Sequence, residues 1–326
     1  MRAARLDNPK LPLQLVDVPV PQPASGTVLL RVRACGVCRT DLHIVDGELP
    51  PHRSPVIPGH QIVGEVIAGG SDSRPEGMRV GVSWMAGIDG TCSYCRRGEE
   101  NLCDRASFTG YDVDGGYAEF ALARADFTYP LPQELDDVHA APLLCAGIIG
   151  YRALRVAGVL RGDRVGLYGF GASAHLMVPV LRAWECEIYV ATRGARHREL
   201  ADTLGVDWVG DATEKPPERL DRAITFAPAG DVVVAALGAL RKGGVVAINA
   251  IHLDRIPEFD YDSVLWGERQ LRSVANMTRT DARDFLSLAA EIGLRPQANV
   301  FPLADANAAL ASLRQDEVRG AAVLVP

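Results

Sequence analysis

The sequence predicts an α/β protein: a β-barrel or sandwich domain followed by a doubly wound parallel sheet. Three observations carry this. Up to about residue 140, short Val/Leu-rich runs alternate with Gly, Pro and Asp turns, the spacing of a compact all-β domain. Beyond that point, strand-like and helix-like stretches alternate, as in a parallel sheet with crossover helices. A length of 326 residues accommodates two domains at roughly 100–200 residues each, so both can bury a core.

In the first part, 27–33 (TVLLRVR) and 61–67 (QIVGEVI) read as strands. In the second, 163–168 reads as a buried strand and 174–184 as a helix with apolar residues at helical spacing. A strand at 187–191 and a helix at 196–204, closed by Gly205, follow. Two more strands, 222–226 and 244–249, flank a helix at 231–240. The tail offers helices at 282–292 and 305–314, with Asp305 suited to an N-cap, and a final strand at 321–325. There is no internal repeat.

With 34 basic and 41 acidic residues the formal net charge is −7, which argues against a nucleic-acid-binding protein. No apolar run approaches the roughly 20 residues of a membrane span, so no membrane association is expected. The start of the chain is positively charged but lacks the apolar stretch of a signal peptide, and a cytoplasmic location is expected. The seven cysteines are odd in number, which disfavours a disulfide framework. Three of them, Cys92, Cys95 and Cys103, fall in one turn-rich segment that reads as a metal loop.

Between the strand at 163–168 and the helix after it lies Gly169-Phe170-Gly171-Ala172-Ser173-Ala174, the dinucleotide-binding fingerprint with alanine at its third glycine. Gly169 permits the tight turn, Gly171 lets the backbone approach a pyrophosphate, and free N–H groups at the helix start hold the anion. An acid closing the next strand would bind the ribose 2′-hydroxyl of NAD. The chain has Thr192-Arg193 there, with Arg196 and Arg198 following. A hydroxyl and guanidinium groups suit a 2′-phosphate, so NADP(H) is expected over NAD(H).

Cys38-Arg39-Thr40-Asp41-Leu42-His43, Pro58-Gly59-His60-Gln61 and Pro142-Leu143-Leu144-Cys145 supply two thiolates and an imidazole, a recognised catalytic zinc arrangement with an open fourth position. Each alone is weak: a lone Cys145 in an apolar stretch fits a core, and His60 fits a satisfied loop histidine. Together with the glycine loop they closely resemble the zinc-dependent medium-chain alcohol dehydrogenases, over essentially the whole chain.

The resemblance implies a GroES-like catalytic domain at 1–145 and 275–326, interrupted by a Rossmann domain at 146–274. It makes Cys38, His60 and Cys145 the catalytic zinc ligands and Asp41 the carboxylate that orients His60. Thr40 becomes the hydroxyl that relays the alcohol proton, His43 the histidine that passes it to solvent. Arg39 matches a pyrophosphate contact and Trp84 the pocket aromatic that limits alcohol size. Two departures stand out. Gln61 replaces the glutamate usual behind the zinc, and Asp89 stands where the first of four structural-zinc cysteines falls, ahead of Cys92, Cys95 and Cys103. A carboxylate is a legitimate zinc ligand, so two zinc ions per chain are expected. Cys35 and Cys186 match no ligand position and are expected to be buried thiols.

The implied activity is hydride transfer between a primary or secondary alcohol and NAD(P)+, or the reverse aldehyde reduction, on a small-molecule substrate by a homodimer or homotetramer. A zinc-free quinone or enoyl reductase would lack the cysteine and histidine ligands. A polyol dehydrogenase often carries a carboxylate in place of Cys145. A zinc-stabilised binding protein that has lost catalysis is the alternative from another class, and the intact Cys38, Thr40, His43, His60 and Cys145 set speaks against it.

Overall fold

The strand Thr27–Val37 places most of what matters in the first part of the chain. It was expected to stop at residue 33, where Ala34-Cys35-Gly36 offers weak strand formers. It continues because both edges find partners: Cys35–Val37 pairs with the terminal strand Ala321–Val325, and Gly36 pairs with Gln61. Its first half pairs instead with Phe120–Arg124. Register shifts at Leu29/Leu30 and Val32/Ala34 mark irregularities against Gln61–Ala68, the kind of feature that increases local twist and curves a sheet. The resulting seven-stranded sheet also contains Arg79–Val82, Thr128–Pro130 and Ala298–Pro302. Val28, Leu30, Val32, Ile62, Val66, Val80 and Leu324 pack its core.

The computed structural model describes residues 1–326 as two compact units, Met1–Ile148 with Asn276–Pro326, and Ile149–Ala275. The returning tail of the first unit opens with the helix Arg279–Glu291, whose N-terminus is a capping box between Thr278 and Asp281. Arg279 forks onto Glu100 (Nη2–Oε2 2.7 Å) and so ties this helix to the segment that carries Cys103. The last helix, Ala306–Arg314, starts as expected after Asp305, but that side chain caps nothing. A 3₁₀ turn, Leu303–Asp305, runs straight into the helix and leaves Asp305 at φ −97°, ψ 22°, outside the extended conformation of a capping residue.

The second unit is built on a six-stranded, all-parallel sheet. Across it run Trp208–Gly210, Glu187–Ala191, Arg164–Tyr168, Leu220–Thr225, Leu240–Ile248 and Gln270–Ser273. The order reverses between Arg164–Tyr168 and Leu220–Thr225, the switch point at which such sheets bind ligands. The helices Ala172–Ala183, Ala195–Thr203 and Gly230–Ala239 lie close to their expected ranges. The two outermost strands escaped the sequence reading because they are short and only partly buried.

One expectation about apolar runs needs correction. Asp137–Ala157 is a continuous helical segment of 21 residues, long and apolar enough to cross a membrane by length and composition. Of its most apolar window, 61% is buried inside the protein, as in a core helix.

Candidate active site

The antiparallel register Gly36↔Gln61 brings Cys38, one residue past the end of its strand, beside His60, one residue before the start of the other. Cys38 caps the short helix Arg39–Val45, and Asp41 closes a capping box by accepting the Cys38 N–H at 2.8 Å. The other oxygen of Asp41 accepts the Gly59 N–H at 3.2 Å and lies 3.3 Å from His60 Nδ1. One fully buried carboxylate thus joins the loops that carry Cys38 and His60.

Cys145 arrives from a different element. It sits in a π-helical turn, Leu143–Gly147, inside the segment 137–157. Pro142 has no N–H to continue the ordinary helical ladder, and π turns of this kind cluster at functional sites. Its sulfur lies 3.9 Å from that of Cys38, and the ligand atoms of Cys38, His60 and Cys145 all fall within 4.8 Å of one another.

Electrostatics fit a cation among these donors. The hydrogen bond from Cys145 holds the Cys38 thiol well below its usual range against the opposing effect of burial, and Cys145 is pushed up correspondingly. Burial works against a charged His60, but Asp41 and Cys38 outweigh it and hold the ring up at about 10. His60 Nε2 is buried without a hydrogen-bond partner. Two thiols and an orphaned imidazole nitrogen, with a carboxylate behind the ring, are the donor set of a catalytic zinc site.

Around this cluster, Thr40 is buried with Oγ1 3.7 Å from Cys38 Sγ. His43 is less exposed than expected of a surface histidine, at 23%, and its Nδ1 pairs with Glu48. Trp84 stands edge-on to His60 with ring centroids 5.1 Å apart, and Phe108 stacks on its other side at 4.8 Å. Arg39 is exposed at the start of its helix. Gln61 is buried against the backbone of Gly36. Cys35 and Cys186 are buried free thiols.

The second cluster is Asp89, Cys92, Cys95 and Cys103, again with ligand atoms within 4.8 Å of one another. Asp89 Oδ1 accepts the N–H groups of Cys92 (2.9 Å) and Thr91 (2.8 Å), which hold its carboxyl far below the usual range. Its Oδ2 is buried without a hydrogen-bond partner. The Asp89 and Cys95 N–H groups point at the sulfurs of Cys103 and Cys92, each at 3.5 Å. Burial and the neighbouring thiols push Cys95 up to about 12. An ionised oxygen beside three sulfurs fits a structural zinc.

In the second unit, Gly169 has φ +86°, and a Cβ there would come within 2.8 Å of the Ala227 nitrogen. A Cβ on Gly171 would meet nothing within 4 Å, so the backbone there is open to a ligand. The helix from Ala172 has no side-chain cap, which leaves its first N–H groups for an anion. Phe170 and Ala174 are buried, while Ala172 and Ser173 are accessible. Thr192 is buried just past Ala191. The arginines after it already have acidic partners: Arg193 Nη2 lies 2.8 Å from Asp231 Oδ2, and Arg198 Nη1 is shared between the Thr192 carbonyl and Asp211 Oδ2, each at 3.3 Å.

Sequence reasoning missed the clamp on the histidine loop. Gly115, Gly116 and Tyr117 donate N–H groups to the carbonyls of Ile57, Gly59 and Pro58. The paired glycines were the available signal, because a Cβ on Gly115 would lie 2.1 Å from the Gly59 oxygen.

Residues 24–133 match the alcohol dehydrogenase GroES-like domain. The chain is 50% identical over 323 residues to the probable alcohol dehydrogenase AdhA of Mycobacterium tuberculosis, covering 96% of this chain and 93% of that protein. It is 35% identical to an alcohol dehydrogenase of Geobacillus stearothermophilus, with 99% of each covered. A cobalt- and zinc-bound thermostable alcohol dehydrogenase from Pyrobaculum aerophilum superposes with a TM-score of 0.89 at 26% identity, covering 100% of this chain and 99% of that one. A GroES-like domain combined with a Rossmann sheet is the architecture these matches share. The chain belongs to the zinc-type medium-chain alcohol dehydrogenase family.

Proposed function

We propose that the protein is a zinc-dependent alcohol dehydrogenase and aldehyde reductase. It moves a hydride between a primary or secondary alcohol and NADP(H), used in preference to NAD(H), and carries a second, structural zinc. The observation that supports this best is the convergence of Cys38, His60 and Cys145 around the unpartnered nitrogen of a buried histidine.

Bound at these three side chains, zinc supplies Lewis-acid polarisation of the alcohol or carbonyl oxygen, and the nicotinamide supplies the hydride acceptor or donor. Asp41 keeps the His60 ring and both ligand loops in register. Thr40 takes the alcohol proton and passes it on, and its burial beside Cys38 shields that transfer from bulk water. His43 receives the proton, with Glu48 fixing its ring. Trp84, braced by Phe108, walls the substrate space. Within the second unit, the glycine loop would hold the pyrophosphate, and Arg193 and Arg198, which follow Thr192, would supply the cations for a 2′-phosphate.

A comparison of NADPH with NADH on a panel of aldehydes tests the reading. NADPH is expected to give the higher kcat/KM, and equal or better use of NADH overturns the cofactor assignment. Full turnover after zinc removal overturns the metal's role. For the second site, Asp89→Ala is expected to lower zinc content from two toward one per chain, because it removes the only non-sulfur donor. An unchanged content of two, measured by elemental analysis, removes Asp89 as a necessary ligand.

A further inference from the structure

The NADP(H) assignment rests on cationic side chains after the strand Glu187–Ala191, and the structure shows those cations already occupied. Arg193, 66% exposed, donates to Asp231, the second residue of the helix Gly230–Ala239 that follows the strand Leu220–Thr225, which is separated from Glu187–Ala191 in the sheet by Arg164–Tyr168. Asp231 is itself anchored, since its Oδ1 accepts the Val232 N–H at 2.9 Å. The contact engages a single arginine nitrogen in an exposed pair, and pairs of this kind are weak enough for a competing anion to displace. Arg198 is more firmly committed, because it also holds the Thr192 carbonyl.

We propose that Asp231 is a specificity-determining residue: a built-in competitor for Arg193 that the 2′-phosphate of NADP(H) must displace, and that lowers discrimination against NAD(H). The proposal rests on the NADP(H) reading above. A phosphate arriving at Arg193 has to break the ion pair and then sit close to a displaced carboxylate. Both effects act on the phosphate dianion and leave a neutral ribose 2′-hydroxyl nearly untouched. Asp231→Asn keeps the shape and the hydrogen-bonding oxygen and removes the charge.

The test is direct binding, independent of turnover. Dissociation constants for NADPH, NADH and 2′,5′-ADP are measured by fluorescence and calorimetry on the wild type, Asp231→Asn, Arg193→Ala and the double variant. Asp231→Asn is expected to tighten NADPH and 2′,5′-ADP by about three- to tenfold, the range for removing one solvent-screened repulsion and one competing pair. NADH is expected to change by less than about twofold, because an uncharged 2′-hydroxyl feels little of a screened charge. Arg193→Ala is expected to weaken NADPH and to cancel the gain in the double variant. An unchanged NADPH constant in Asp231→Asn, with Arg193→Ala still weakening binding, overturns the role of Asp231 and leaves the cofactor reading standing. If Arg193→Ala leaves NADPH unchanged and NADH binds the wild type equally well, the cofactor reading falls and takes the proposal with it. A gain that persists in the double variant also overturns the proposal, since the effect then bypasses Arg193.

Discussion

Cys38→Ser is expected to lower kcat/KM by about 10³-fold or more, because Lewis-acid stabilisation of the transition state supplies several kcal/mol. The substitution is close to isosteric and leaves the helix Arg39–Val45 its N-cap position. What it removes is the sulfur whose ionisation its neighbours favour: the Cys145 hydrogen bond and then His60 lower the Cys38 thiol against the opposing effect of burial. A serine hydroxyl does not ionise in this range and is a poor match for zinc. Zinc content is expected to fall by one per chain, with any ion at the second cluster retained, because Asp89, Cys92, Cys95 and Cys103 all lie apart from Cys38 in the sequence. NADPH affinity is expected to persist, since the glycine loop belongs to the other unit. The combination distinguishes loss of the reacting centre from loss of the fold. Turnover within about tenfold of wild type, with normal zinc content, would sink the assignment of Cys38.

The residues that make this site were legible to different depths. Cys38 and His60 were readable because each lies in a short motif beside a strand, and strand register then carries them together. Gly169 and Gly171 were readable for a similar reason: a tight turn and an open backbone have local sequence requirements. Cys145 alone was weak, since an apolar helix gives a cysteine no reason to bind metal. What distinguishes it is a π turn after Pro142, and such a turn depends on the tertiary packing of the segment. Asp89 was found only by counting back from Cys92. Its buried Oδ2 without a hydrogen-bond partner, the feature that fits a donor, is a product of folding. Asp231 was invisible as a partner of Arg193, 38 residues away, because the pairing depends on two crossovers of the parallel sheet. The Gly115–Tyr117 clamp escaped for the same reason, its partners lying more than 50 residues upstream.

Gly59→Ala is expected to destabilise the first unit strongly, through its backbone conformation and through its packing. Gly59 has φ +96°, a conformation that costs an L-residue roughly 1–2 kcal/mol. A Cβ there would also sit 2.3 Å from Tyr117 Cδ1 and 2.9 Å from Cys35 Sγ, both fully buried. Overpacking of that kind adds about 1–3 kcal/mol, because neither neighbour has room to retreat. The sum, about 2–5 kcal/mol, corresponds to a fall in Tm of roughly 5–15 °C for a domain of this size. The damage reaches the chemistry as well. The Gly59 N–H is one of the donors that fix Asp41, and the next residue is His60, so displacing this loop loosens the ring against Cys38 and Cys145. Zinc at the first site is therefore expected to be lost at chelator concentrations that the wild type tolerates. Combining Gly59→Ala with Tyr117→Leu separates the two contributions: relief of the ring clash should appear as a favourable coupling in the double-mutant cycle, while the backbone cost remains. A Gly59→Ala protein that melts within about 1 °C of wild type and keeps its zinc would show that the loop has the freedom this packing denies it.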